Sequence, residues 1–317
     1  MTLKQKPLAA ITGGTGFVGR YIISDLIKSG WKIRLLVRSE PMHPLIPELD
    51  AEIIISDLSD QKALEQFCAD ADAVIHVGGL IKAKNRTEFF AVNEKGSKNL
   101  AKAAAKTVPK AIFVVVSSMA ARVPGLSDYA ASKRAGEDAI IRNFTGPVTI
   151  LRPSAVYGRW DKETLPLFQM ASKGRIFMPR DEAARICLIN VADVSSAVVT
   201  YAKIGKVDAL YELSDENIYG YTWSEIALTV GKAVGKTPKI TSIPTVLSKS
   251  GGNTFAYISR LMGQTPFVPA GKIAEILHGQ WGSSPTFQPQ LEIWRPRISL
   301  ESGFTQTAKW YASNKLI

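Results

Sequence analysis

Tyr129-Ala-Ala-Ser-Lys133 sets a phenol and an ammonium four residues apart, a spacing that shares one face of a helix. A phenol near its reference pKa of ~10 is a poor base at neutral pH. A nearby ammonium favours the phenolate, so Tyr129 could pass a proton to or from a substrate oxygen while hydride moves to or from a nicotinamide. Ser117-Ser118 lies just upstream, at the end of the most apolar run in the chain, Ala111–Val116. That run reads as a strand at the sheet centre. The carboxyl edge of such a sheet is where ligands bind, and a serine hydroxyl there can hydrogen-bond the same reacting oxygen.

A second group of residues could hold the hydride carrier. Leu8–Thr12 reads as a strand and Phe17–Lys28 as a helix, with Gly13, Gly16 and Gly19 at the junction. In that context Gly13 allows the tight turn, Gly16 lets backbone approach a pyrophosphate, and Gly19 permits close packing of helix on strand. Free N–H groups and the dipole at the helix start favour an anion. Thr15, Phe17 and Val18 complete the loop. The second strand, Lys32–Val37, is followed by Arg38, where an NAD-preferring site usually carries Asp or Glu for the ribose hydroxyls. A guanidinium suits a 2′-phosphate instead, which favours NADP(H) and leaves NAD(H) as the alternative. Asp57-Leu58, after the third strand, could contact the adenine amino group and ring.

These residues need a scaffold of alternating strands and helices. Glu52–Ile55, Ala73–Val77 and Val148–Leu151 read as further strands. Phe17, Ile22, Ile23, Leu26 and Ile27 cluster on one side of the first helix, which Gly30 stops. Thr87–Lys106 reads as one long helix and Tyr129–Arg142 as another. The expected fold class is α/β: a Rossmann-type doubly wound parallel sheet with a smaller C-terminal substrate lobe. Residues 1–155 would form the dinucleotide-binding domain, rejoined by about 186–212 through a helix over Val191–Tyr201. Residues 156–317 would supply most of a discontinuous substrate-binding lobe, with helices over Thr222–Val234 and Lys272–His278.

Composition narrows the function classes. The 317 residues carry 39 Lys and Arg against 28 Asp and Glu, a net charge of +11. Residues 1–100 are nearly balanced, with 13 basic and 12 acidic side chains, so the excess is spread over the rest. No basic run resembles a nucleic-acid arm, and nucleic acid is not expected as a partner. Cys68 and Cys187 exclude a disulfide scaffold or a Cys-rich metal site. His43, His76 and His278 are too scattered for a local metal motif, so no metal is expected. No segment approaches the ~18 apolar residues of a spanning helix, and Met1–Pro7 lacks a signal-peptide pattern. A cytoplasmic protein with free thiols and a small-molecule substrate is the expectation.

Taken in order, Thr12–Gly19, Asp57-Leu58, His76-Val77-Gly78-Gly79, Val92-Asn93 with Gly96, Ser117-Ser118, Tyr129–Lys133 and Arg152-Pro-Ser-Ala-Val-Tyr-Gly158 resemble the extended short-chain dehydrogenases/reductases, the NAD-dependent epimerase/dehydratase superfamily. Asn190-Val-Ala-Asp193 and Gly303–Tyr311 resemble its later segments. The resemblance implies Tyr129 as acid/base, Lys133 as its pKa modulator and nicotinamide-ribose ligand, and Ser118 as the orienting hydroxyl. It places Val77, Gly78, Gly79, Ser117, Pro153 and Ser154 against the cofactor. Asn93 would support its helix and a water relay, and His76 would be structural. Arg185 falls near a substrate-phosphate arginine of related enzymes. Lys82, Lys84 and Arg86 read as a solvated loop bordering the active site, with Lys82 a substrate candidate. Trp160, Phe168 and Phe177 read as core.

Two departures shape the expected activity. Ser118 and Tyr129 are only 11 positions apart, a shorter loop than in the family's sugar-nucleotide epimerases. Met119-Ala120 stands where the family's 4,6-dehydratases carry an Asp-Glu pair, which argues against dehydration. The leading expectation is hydride transfer between a nicotinamide cofactor and a secondary alcohol or ketone. The alternatives are a sugar-nucleotide epimerase with bound NAD and an NADPH-binding accessory protein like that of respiratory complex I. Homodimers are common in the family.

Overall fold

The computed structural model describes residues 6–39, 51–205, 209–244 and 270–317. His43 and the first five residues lie outside them. The chain divides into two units. Among the described residues no helix is long and apolar enough to cross a membrane.

The first unit comprises Met1–Pro153, Val194–Glu212 and Pro289–Trp294. Its strands are β1 (Leu8–Thr12), β2 (Lys32–Val37), β3 (Ala51–Ile55), β4 (Ala73–His76), β5 (Ile112–Val116), β6 (Val148–Pro153) and, after four strands of the second unit, β11 (Ala209–Leu213). They form one sheet in the order β11-β6-β5-β4-β1-β2-β3. The ladders from β3 across to β6 are parallel. A parallel sheet is covered on both faces and needs near-continuous apolar strands. Ala9–Ile11, Val74-Ile75 and Phe113–Val116 meet that demand and are all buried. β5 stands beside the central strand β4 rather than at the centre itself.

A buried cation interrupts this apolar sheet at β2. Arg34 of β2 bonds Glu52 Oε2 at 2.7 Å. Its Nη1 also donates to the carbonyls of Phe67 and Ala69 at 3.2 and 2.5 Å. Those carbonyls end α2 (Gln61–Cys68), where unpaired acceptors and the dipole favour positive charge. Helix α2 was not evident from periodicity. It starts at Asp60, whose side chain accepts from Lys62 N and Ala63 N.

Helix α1 spans Phe17–Lys28 as expected, but Ile27 does not join its inward face and is 43% exposed. The expected single helix Thr87–Lys106 is broken into α3 (Arg86–Phe90), a π-helical turn over Ala91–Gly96 and α4 (Ser97–Thr107). The wider turn buries Asn93, whose side chain bonds both backbone groups of Leu80 at 2.7 and 3.0 Å. Extra-residue turns of this kind gather at functional sites. α5 (Asp128–Asn143) opens on Ser127, which caps Ala130 N. A later helix, α7 (Val191–Ile204), ties into this unit through Ser195 Oγ, which donates to Asp25 Oδ2 at 2.6 Å. Trp294 Nε1 donates to Ser196 Oγ at 2.8 Å.

The second unit comprises Ser154–Asp193, Leu213–Gln288 and Arg295–Ile317. Three short parallel ladders run through it. β7 (Ala155–Tyr157) pairs with β10 (Leu188–Asn190), β8 (Arg175–Arg180) with β12 (Lys239–Pro244), and β9 (Arg185–Ile186) with β13 (Gln280–Trp281). Phe168 of α6 (Leu165–Ser172) packs edge-on against Phe304 and Tyr311 of the last helix, Leu300–Ser313. Tyr157 meets the Phe304 ring edge-on as well. α8 (Trp223–Ala233) begins with a reciprocal capping box between Thr222 and Glu225. Asp193 accepts from the backbone N–H groups of Arg297 and Ile298 at 3.1 and 3.0 Å, a structural use of that carboxylate.

Candidate active site

The loop between β1 and α1 is shaped by its glycines. Gly13 has φ +71°, and a Cβ there would lie 2.5 Å from Gly78 N, so the turn rests directly on the segment after β4. A Cβ on Gly19 would lie 2.2 Å from Gly13 O. Gly14, not among the expected site residues, also has no room: its Cβ would meet Ile23 and Leu35 side chains at 2.7 and 2.8 Å. Gly16 differs. Its Cβ would meet only Gly13 O, at 3.2 Å. Three glycines are thus used by packing, and the fourth turns its open side outward. Gly16 starts α1 without a side-chain cap, and the first turn holds no acid. Thr15, Phe17 and Val18 line the same turn, and Arg20 Nε donates to Thr15 O at 3.0 Å. A pyrophosphate fits this cradle on both sterics and charge.

Arg38 is exposed just beyond β2, and its charge helps hold the Asp57 carboxyl below the usual range. The larger causes are the hydroxyl and N–H of Ser59, at 2.6 and 2.7 Å. Leu58 packs beneath Gly96, and its carbonyl accepts from Asn99 Nδ2 at 2.8 Å.

A directed hydrogen-bond chain runs beneath these loops. Ser97 Oγ donates to Asn93 O at 2.6 Å. Its single proton is therefore committed, so its contact with His76 Nε2 at 2.9 Å requires an imidazole N–H donor. His76 Nδ1 then accepts from Thr12 Oγ1 at 2.7 Å. The imidazole is neutral: burial, with Lys133 adding to it, pushes its pKa down to about 3. His76 is structural, linking β1 and β4 to α4.

Lys133 and Tyr129 lie one turn apart on α5. Lys133 Nζ donates to Val116 O, at the end of β5, at 3.0 Å. Desolvation pulls the ammonium pKa down to about 8, and Glu137 opposes that pull. A Cβ on Gly79 would lie 3.6 Å from Nζ and 3.2 Å from Asn93 Oδ1, so the segment after β4 passes close over both. Asn93 Nδ2 also donates to Ser132 Oγ at 2.9 Å. Tyr129 is half-buried, with the Phe89 ring tilted against it at 6.1 Å.

The two serines after β5 part company. Ser118 opens a 3₁₀ turn, Met119–Arg122, and its hydroxyl accepts from Ala120 N at 3.1 Å. Ser117 turns inward, and its hydroxyl donates to Glu137. Ser117 can therefore meet a cofactor only through its backbone. Glu137 also receives Arg152 Nε at 2.8 Å and Nη2 at 2.5 Å, and both side chains are buried, at 2% and 4% exposure. This pair was missed from sequence, although Glu137 stands four residues after Lys133 on the same helix.

Other candidates stand apart in character. Lys82, Lys84 and Arg86 are exposed, and Arg86 Nη1 pairs with Asp128 at 2.7 Å. Pro153 ends β6, while Ser154 is buried in the second unit with its N–H on Leu213 O at 2.8 Å. The Ser154 hydroxyl is buried without a partner. Arg185 is exposed and donates to the carbonyls of Glu182 and Ala184 at 3.0 and 2.8 Å, closing its own turn. Phe168 is core, Phe177 is half-buried, and Trp160 packs on Trp310 at 5.0 Å. Among the described residues no group of three His, Cys, Asp or Glu could hold a metal ion.

The sequence pattern of the NAD dependent epimerase/dehydratase family matches residues 9–209. A ceramide reductase of Caulobacter vibrioides is 38% identical over 311 residues, covering 98% of this chain and 96% of that protein. The crystal structure of gox2253 superposes with a TM-score of 0.78 at 21% identity, covering 99% and 100% of the two chains. A Bordetella bronchiseptica enzyme, WbmG, solved with NAD and UDP, superposes with a TM-score of 0.71 at 18% identity over 99% and 97%. Both structural likenesses concern the fold.

Proposed function

The chain belongs to the NAD dependent epimerase/dehydratase family, as an enzyme of the extended short-chain dehydrogenase type, and from that premise we propose that it is an NADP(H)-preferring reductase of a lipid ketone of the ceramide class. The observation that carries the substrate class is the 38% identity to a ceramide reductase along nearly the whole of both chains. Arg38, with no acid at the end of β2, supports the phosphate-bearing cofactor. The glycine cradle at Gly16 would hold the pyrophosphate and Lys133 the nicotinamide ribose.

When bound, the reduced nicotinamide supplies the hydride. The chain's own part is the proton. Tyr129 Oη would donate it to the substrate oxygen as the carbonyl becomes an alcohol, leaving a phenolate. The Lys133 ammonium, held in place by Val116 O, lowers the cost of that phenolate. The Ser118 hydroxyl would donate to the same substrate oxygen. Its oxygen already accepts from Ala120 N, so its proton remains available for a ligand.

The test is NADPH consumption with a ceramide-class ketone, run beside UDP-sugars as controls. Ketone-dependent oxidation of NADPH supports the reading. Interconversion of a UDP-sugar without net NADPH consumption, and no turnover of the ketone, overturns it in favour of an epimerase. Tight NADPH binding with no turnover and a stable complex with another protein overturns it in favour of an accessory role.

A further inference from the structure

Beside the Tyr129–Lys133 pair lies a buried ion pair, Glu137 with Arg152. Glu137 and Lys133 are four residues apart on α5, a spacing that brings side chains together. Glu137 takes three donors, the Ser117 hydroxyl and two nitrogens of Arg152. Ser117 directly follows Val116, whose carbonyl receives Lys133 Nζ. The last residue of β5 therefore anchors the ammonium, and the residue after it the carboxylate. Burying such a pair usually gains little stability over apolar residues of the same size. Its cost needs another return.

We propose that the Glu137–Arg152 pair is a positioning and charge-setting device for Lys133: the carboxylate keeps the half-buried ammonium protonated and aligned on Val116 O, and Arg152 limits how strongly it does so. This rests on the role given to Lys133 above. The charged and titratable groups around the ammonium define the balance. On α5 they are Glu137 and the phenol of Tyr129. From β4 comes His76, neutral in its chain from Thr12 to Ser97. Arg152, from β6, joins through its bonds to Glu137. The π-turn brings the neutral Asn93 amide, β5 the Val116 carbonyl, and Ser117, just after β5, its hydroxyl. Among the described residues Glu137 is the acidic group that opposes the desolvation drawing Lys133 to about 8.

A purely structural pair and a charge-setting pair differ in sign. Removing the carboxylate in Glu137→Gln leaves Arg152 uncompensated and should lower the proton affinity of Lys133 by about tenfold or more. Removing the cation in Arg152→Met leaves Glu137 unbalanced and should raise it. The direct readout is the ¹³C resonance of the Lys133 Cε in cofactor-free protein, identified by its loss in Lys133→Met and followed through pH. The second readout is the pH dependence of NADPH affinity, which should fall as Lys133 deprotonates.

Opposite displacements in the two variants support the proposal. Should either single variant fail to fold, the charge-free pair Glu137→Gln with Arg152→Met decides. Its Lys133 should titrate below wild type, because Glu137 acts on the ammonium directly and Arg152 acts through Glu137. An unchanged Lys133 titration in a folded variant lacking Glu137 overturns the proposal. A Lys133 that titrates as stated while NADPH affinity stays flat with pH supports the wiring and overturns the cofactor role of Lys133, so the two ideas fail separately.

Discussion

Substituting Gly16 and Gly19 separates binding from folding within one loop. A Cβ at position 19 would sit 2.2 Å from Gly13 O and 2.7 Å from Gly14 Cα, both backbone atoms that cannot swing aside. Gly19→Ala must push α1 off β1. Overpacking of this kind costs about 1–3 kcal/mol, and more when backbone must move. At roughly 2–4 °C per kcal/mol for a domain of this size, the melting temperature should fall by about 2–12 °C. Gly16 has φ −75° and ψ 174°, extended backbone that a β-branched residue accepts. Its Cβ would touch only Gly13 O, at 3.2 Å, which a shift of a few tenths of an ångström relieves. Gly16→Val should therefore stay within about 1 kcal/mol of wild type, the typical cost of a poorer N-cap residue. It should nonetheless lose NADPH, because the side chain fills the open side of the cradle. Losing even one charge-assisted hydrogen bond is worth about 1.5–3 kcal/mol, hence about tenfold or more in affinity. Thermal unfolding and NADPH fluorescence titration on both variants read the two effects. A Gly16→Val protein with wild-type NADPH affinity would show that the loop holds no pyrophosphate. A Gly19→Ala protein with an unchanged melting temperature would show that the packing argument is wrong.

Cofactor choice depends on Arg38: wild type should bind NADPH at least about tenfold more tightly than NADH, and Arg38→Ala should lose that preference. Equal affinities in wild type, or full preference in the variant, would remove Arg38 from the site. Tyr129→Phe deletes only a hydroxyl, so turnover of a true substrate should fall by about 10²–10⁴-fold with NADPH affinity unchanged; a wild-type rate refutes the proton transfer. His76 should make the fold acid-labile. Its pKa is about 3 in the folded chain against 6.5 unfolded, so the unfolded state binds more protons and stability falls as pH drops through that window. The full swing is on the order of 4–5 kcal/mol, and chemical denaturation of His76→Gln between pH 7 and 4 should show a flatter slope than wild type. Equal slopes would mean that the imidazole is not held neutral.

The sequence was most readable where structure is local. β1, α1 and β2 fall on the residues their patterns predict, because Gly13, Gly16 and Gly30 punctuate them and the apolar period between is regular. The order Ser118, Tyr129, Lys133 was equally readable, since helical spacing decides which side chains share a face. α2 was missed because it has only eight residues, although Asp60 carried a capping signal. β11 was missed for another reason. Its Glu212 is fully buried and looks wrong for a strand until Arg122 is found 3.2 Å away, 90 residues distant in sequence. The π-turn in place of a continuous helix has the same origin. Asn93 breaks the helical repeat to reach Leu80 and Ser132, and no helical period records those partners.

The site is therefore written at two levels. Residue types and spacings give the groups that would meet a ligand: a glycine loop, a phenol, an ammonium and a hydroxyl. The surroundings of the ammonium come from long-range partners. Thr12 and Ser97 fix His76 as a neutral donor–acceptor link, so it adds no charge beside Lys133. Glu137 supplies negative charge there, already shared with Arg152. Had His76 been protonated, or Glu137 an apolar residue, the ammonium would face one more repulsion or one fewer attraction at a position where burial already draws it to about 8. A Tyr-Lys spacing with the wrong floor beneath it would put a neutral amine beside the phenol and lose the stabilisation a phenolate needs. On this reading the motif would specify which atoms react, and the buried polar layer below it would set the charge of the ammonium at neutral pH.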